Sequence, residues 1–171
     1  MIVLMAGLPG TGKTMLAREL ARRTQGALLG KDEIRAALFS PDDLEYSVKQ
    51  DDFVMEVMLQ AARYLLQSTP GRKVFLDGRP FSRRYQIDRV LEFARELAQP
   101  WVILECTCSD ESAERRLDRE PDPSHPARNR SFALYREVKA RFEPINYPKT
   151  TINTDQPAED CIQQALIALG A

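Results

Sequence analysis

The chain has 171 residues, 43% hydrophobic and 29% charged, which suits one globular domain spanning residues 1–171 with a full core needing no disulfide or metal. A formal net charge of -1 and a pI near 5.9 exclude a global basic field for nucleic acid or an anionic membrane, although the basic residues are mostly arginine and leave room for local phosphate contacts. Cys106, Cys108 and Cys161 are odd in number and lack metal-ligand spacing, so structural thiols in a reducing cytoplasm are expected.

The first segment, MIVLMAGLPG, lacks a basic leader region and breaks at Gly7 and Pro9, so it does not read as a signal peptide. No apolar run approaches a membrane span, and a cytoplasmic location is expected. Ile2-Val3-Leu4-Met5-Ala6 reads as a buried strand. A helix follows from about Gly12 to Arg23, with Leu16, Ala17, Leu20 and Ala21 on one face. Ala27-Leu28-Leu29 is the second strand. A long helical stretch from about Leu44 to Gln67 carries Phe53, Val54, Val57, Met58, Ala61 and Leu65 at helical spacing, and Thr69-Pro70-Gly71 stops it.

Val74-Phe75-Leu76 is the third strand, followed by a helix bearing Ile87, Val90, Leu91, Ala94 and Leu97. Trp101 to Cys106 is the fourth strand, and a helix runs from about Asp110 to Glu120. A Pro-rich loop then leads into a helix from about Ser131 to Phe142, a fifth strand from Lys149 to Asn153 and a last helix from about Ala158 to Leu169. This alternation predicts an α/β fold, a parallel sheet covered on both faces, with ligands at the carboxyl ends of its strands.

Gly7-Leu8-Pro9-Gly10-Thr11-Gly12-Lys13-Thr14 fits G-x-x-x-x-G-K-[ST] in full, between an apolar strand and an amphipathic helix. Glycines let the backbone curl so that successive N–H groups face anionic oxygens, and the helix N-terminus adds its dipole. Lys13 would meet the β- and γ-phosphates, and the Thr14 hydroxyl a magnesium ion. The spacing G-x-x-G-x-G disfavours a dinucleotide fingerprint.

Asp77 ends the third strand, where a carboxylate faces the metal and its waters; an ordinary turn Asp before Gly78 is the alternative. Asp32 follows the second strand, where it serves either as a helix N-cap or as a base that accepts the proton of an attacking hydroxyl. Arg35, one helical turn on, would hold an acceptor beside that base. Arg79, Arg83 and Arg84 follow the third strand, Arg115, Arg116 and Arg119 precede the Pro-rich loop, and Arg128 and Arg130 leave it. Such a loop, at about 119–131, fits a lid that adds positive charge at a transferring phosphoryl; a solvated, salt-bridged face is the alternative. His125, the single histidine, lies between prolines and reads as exposed. The stretch from about Asp42 to Ser68 is expected to line an acceptor pocket, with Glu45, Tyr46, Lys49, Asp51 and Asp52 either reading a polar ligand or solvated.

The segments GLPGTGKT, KDEIRAALF, VFLDG and RRLDRE resemble the small phosphate-loop (P-loop) kinases, the group of AAA-type ATP-binding kinases, polynucleotide 5′-hydroxyl kinases, zeta toxins and chloramphenicol phosphotransferase. FEPI and TTINTDQPAEDCIQQAL are also similar, so the resemblance spans nearly the whole chain. It implies a P-loop NTPase fold with a five-stranded parallel sheet in the order 2-3-1-4-5, flanked by helices. It implies ATP and Mg²⁺ at Lys13 and Thr14, Asp32 as general base, Arg35 as an acceptor contact, a lid arginine matched best by Arg119 or Arg116, and the fifth strand near the adenine. VFLDGRPFSRR is similar to the D-G-x-P-R segment of adenylate kinases, but Phe81 replaces the arginine, which disfavours a nucleoside monophosphate acceptor.

The expected activity is therefore ATP-dependent transfer of a phosphoryl group to a hydroxyl of a small molecule such as a sugar, nucleoside or antibiotic. A polynucleotide 5′-hydroxyl is the nearest alternative, disfavoured by the charge balance. A regulatory nucleotide-binding ATPase, which would need no Asp32, is the alternative of another class.

Overall fold

A computed structural model describes residues 1–118 and 131–171. Five strands, β1 (Ile2–Ala6), β2 (Ala27–Gly30), β3 (Val74–Asp77), β4 (Trp101–Thr107) and β5 (Thr150–Asn153), form one sheet in the order β2-β3-β1-β4-β5. Every pairing is parallel, with Ile2 opposite both Val74 and Trp101. This is the P-loop NTPase architecture that the sequence resemblance implies, with β1 at the centre.

Helices α1 (Lys13–Arg23), α2 (Lys31–Leu38), α3 (Val48–Ser68), α4 (Arg84–Glu96), α5 (Asp110–Leu117), α6 (Phe132–Ala140) and α7 (Ala158–Ala168) supply the connections. All five residues of β1 are fully buried because both faces of the sheet are covered. Strand alternation divides them. Ile2, Leu4 and Ala6 pack with Val54, Met58 and Leu59 of α3 and Ile87, Val90 and Phe93 of α4. Val3 and Met5 pack on the other side with Leu16 and Leu20 of α1 and Ile162 and Ala165 of α7. No helix among the described residues is long and apolar enough to cross a membrane.

Three local expectations need correction. The long helix starts at Val48, not near Leu44, because Ser47 caps it by accepting from the Gln50 N–H at 3.1 Å, and Pro41–Asp43 form a separate 3-10 turn. Its buried face is Val54, Met55, Met58, Leu59, Ala62 and Leu66, while Phe53 is 54% exposed and meets Phe39 edge-on. Two adjacent apolar stripes run along this helix, and periodicity alone does not say which one meets the sheet. Asp32 is not an N-cap: Gly30 occupies that position and no side chain caps α2. The expected lid at about 119–131 falls almost wholly on residues 119–130, which lie outside the described residues together with Arg119, His125, Arg128 and Arg130.

Candidate active site

The loop from Gly7 to Thr14 joins β1 to α1 at the carboxyl edge of the sheet. Gly7, Gly10 and Gly12 hold φ of 129°, 78° and 81°, a region that side chains disfavour. At Gly7 there is no room either, since a Cβ there would lie 2.2 Å from the Cys106 carbonyl oxygen of β4. Lys13 Nζ donates to the Leu8 carbonyl at 2.7 Å, and the Thr11 hydroxyl donates to the same oxygen at 2.7 Å. The lysine thus folds over the loop that its cation would serve.

A second chain segment braces this loop. The Thr154 hydroxyl, just past β5, donates to the Thr11 carbonyl at 2.9 Å. Arg116 on α5 donates to the Thr154 hydroxyl at 2.9 Å, to the Thr154 carbonyl at 2.8 Å and to the Gly10 carbonyl at 3.3 Å. Arg116, expected as a candidate lid arginine, thereby ties the phosphate loop to the β5–α7 turn.

Asp77 is 3% exposed at the end of β3, and its Oδ1 has no hydrogen-bond partner among the described residues. Burying an unpaired carboxylate oxygen is unfavourable, so this atom fits a cation or its water shell. Thr14 is half-buried on the cavity wall, and a hydroxyl and a carboxylate of these two kinds are donors suited to a magnesium ion bound mainly through phosphate oxygens and water.

The next residue, Gly78, has φ 91°, and a Cβ there would lie 2.9 Å from the backbone nitrogen of Lys31. That close approach seats the first turn of α2 beside the end of β3. Lys31, Asp32 and Arg35 consequently face the same cavity as the phosphate loop, a space of about 1070 Å³. Arg35 donates from Nη1 to Asp32 Oδ1 at 3.1 Å. Arg35 also donates from Nη2 to Asp51 Oδ1, and Lys31 Nζ reaches that oxygen at 2.9 Å. Arg35 lies over the Tyr46 ring, 5.1 Å from its centroid. Burial pushes the Lys31 ammonium down to about 8, against the opposing pull of Asp32.

The arginines expected to act as one cluster separate. Arg79 is 4% exposed and donates to Asp52. Arg83 pairs with Glu143 at 3.0 Å, and Arg84 lies on the surface near Asp88. Sequence reasoning passed over Lys31 and Thr154 and left Asp51 undecided. Their partners are 20 and 38 positions away for Lys31–Asp51 and Arg116–Thr154, beyond the reach of local spacing.

A model of the AAA domain matches residues 2–145. No curated protein matches the chain. Similar solved structures include a sugar kinase from a Janibacter species, at 18% identity over 99% of this chain and 94% of that one, with a TM-score of 0.70. A gluconokinase from Sinorhizobium meliloti shares 13% identity over 99% and 90% of the two chains, with a TM-score of 0.71. An APS kinase from Mycobacterium tuberculosis, solved with AMPPNP and APS, shares 17% identity over 99% and 97%, with a TM-score of 0.73. At these identities the likeness is one of fold, and it places the sheet among P-loop kinase structures. With the family model matching from β1 past the end of α6, the chain belongs to the AAA domain family.

Proposed function

We propose that the protein is an ATP-dependent phosphotransferase that phosphorylates a hydroxyl of a small molecule. The observation that carries this reading is the position of Asp32: a carboxylate on the wall of the cavity that Lys13 and Thr14 also line. A nucleotide switch needs the loop but has no use for a base across from it.

In this reading the backbone N–H groups of residues 7–14 bind the triphosphate, and Lys13 exchanges the Leu8 carbonyl for phosphate oxygens. Magnesium, where bound by Thr14 and Asp77, would neutralise charge on the phosphates. Asp32 accepts the proton of the acceptor hydroxyl as its oxygen bonds to the γ-phosphorus and the bond to the β,γ-bridging oxygen breaks. Arg35 fixes the Asp32 carboxylate and the acceptor. Arg116 holds the loop in register, and Arg119 is the remaining candidate for charge stabilisation at the transferred group. A small acceptor is supported by the acidic pI and by the small-molecule kinases among the similar structures.

The test is incubation with Mg·ATP and a panel of sugars, nucleosides, antibiotics and 5′-hydroxyl oligonucleotides, with labelled γ-phosphate as the readout. Asp32→Asn is expected to abolish transfer while ATP still raises the melting temperature. Unimpaired transfer would remove Asp32 from the mechanism, and label on the oligonucleotide would replace the small acceptor by a polynucleotide.

A further inference from the structure

Three cations crowd the acceptor end of the cavity: Lys31, Arg35 and Arg79 are 5%, 2% and 4% exposed. Buried charges require close partners. Two consecutive residues near the start of α3 provide them. Asp51 Oδ1 accepts from both Lys31 Nζ and Arg35 Nη2. Asp52 accepts from Arg79, with the Tyr85 hydroxyl 3.4 Å from both of its oxygens. Asp32 accepts the other Arg35 terminal nitrogen. Each buried cation at this end therefore already has a carboxylate.

The Asp51 side chain keeps 23% of its surface open and lines the cavity. A carboxylate between a guanidinium and an ammonium occupies the place where the carboxylate, sulfate or phosphate of an acceptor would bind. Here that anion is part of the chain, and a tethered group competes at high effective concentration. An anionic acceptor would have to displace Asp51 or approach Asp51 and Asp32 with like charge. Hydroxyl groups meet no such penalty, since they donate hydrogen bonds to carboxylate oxygens. Tyr46 and Tyr85 on the same cavity wall add aromatic surface suited to a carbon ring or chain.

We propose that Asp51 is a specificity-determining residue: an internal counter-anion that closes an anion subsite between Lys31 and Arg35, so that the site takes uncharged polyhydroxylated acceptors and rejects anionic ones. The acceptor half of this inference rests on the phosphotransferase reading. The closed anion subsite does not.

The test separates the two. The phosphate loop is first saturated with Mg·AMPPNP, and sulfate is titrated by calorimetry into the wild type, Asp51→Ala and Asp51→Asn. Any sulfate that still reaches the loop contributes equally to all three. Asp51→Ala is expected to bind sulfate at least about tenfold more tightly than the wild type, a factor typical of one added charge interaction in a partly buried site. Adding Lys31→Met to Asp51→Ala should remove the gain. Asp51→Asn keeps the side-chain shape and gives the same sign if Asp51→Ala does not fold. Equal sulfate affinity in the wild type and a folded variant overturns the proposal. In a second arm, paired aldoses and aldonates are offered with Mg·ATP. The wild type is expected to favour the aldose, and Asp51→Asn to narrow that preference. A wild-type preference for the aldonate overturns the proposal, and transfer to neither compound counts against the phosphotransferase reading while the sulfate result stands.

Discussion

Arg116 grips Thr154 at two atoms, the hydroxyl and the carbonyl, and through the same threonine reaches the Thr11 carbonyl of the phosphate loop. Thr154 is 8% exposed and also bonds the Thr107 carbonyl at the end of β4. One hydroxyl thus joins β4, the β5–α7 turn, α5 and the loop.

Thr154→Val keeps the shape and removes this hydroxyl, leaving buried carbonyls and a guanidinium short of a partner. A loss of about 1 to 3 kcal/mol is expected, read from urea unfolding. ATP affinity should fall as well, because the loop loses a support. Unchanged stability in Thr154→Val would show that water replaces the hydroxyl.

The glycines of the loop differ in what they tolerate. At Gly12 a Cβ would sit 3.7 Å from its nearest neighbours in Thr154, so Gly12→Ala should cost only the backbone strain of a positive φ, about 1 to 2 kcal/mol. Gly7→Ala adds a collision with the β4 backbone and should cost more than about 4 kcal/mol, leaving little folded protein. Thermal unfolding of the two variants ranks them, and equal melting temperatures would contradict the account.

Lys31 titrates within an accessible range. Its ammonium is pushed down to about 8 from an ordinary 10.5 by burial. Between those values the unfolded chain binds a proton that the native state has released, so this group makes stability rise with pH across that window. Lys31→Met should flatten the rise relative to wild type in urea titrations from pH 7.5 to 10. The Lys31 ε-carbon resonance should show a midpoint well below those of exposed lysines, and a midpoint near 10.5 would refute the burial argument.

The thiols should react in a fixed order. Burial pushes the Cys106 thiol up to about 12, and Cys106 and Cys161 are both buried while Cys108 is half-buried. A disulfide reagent at pH 8 is expected to modify Cys108 first and Cys106 only on unfolding. Rapid labelling of Cys106 in the native protein would contradict the packing of α1 and α7 over that face of the sheet.

The phosphate loop was legible in the sequence because its physics is local: eight consecutive residues carry the curl, the cation and the hydroxyl. The central strands β1 and β3 were legible because double coverage turns each into a short, nearly all-apolar run, whereas β5 is a partly exposed edge strand with one buried apolar residue, Ile152. The end of the cavity around Asp32 was only half legible. Asp32 and Arg35 share one helical turn, but Asp51 and Asp52 join them through a helix that begins after an irregular passage with Tyr46 at φ 50°. The rotation of that helix decides whether Asp51 meets cations or solvent, and its two apolar stripes left the rotation open. Arg116 showed the same limit, since its residue type suggests phosphate while its partners are the Gly10 and Thr154 carbonyls, the Thr154 hydroxyl and the Asp155 carboxylate.

The central position of β1 also orders events in time. Its two neighbours, β3 and β4, lie far downstream in the chain, with Ile2 paired to Val74 and Trp101. Gly7 packs so closely on the Cys106 carbonyl that no Cβ fits between them, so the nucleotide cradle is not finished on that side until β4 arrives. Such non-local closure is slow. In refolding from urea, a fluorescent ATP analogue should therefore bind only in the last kinetic phase, and during synthesis the loop leaves the ribosome before the strands that complete it.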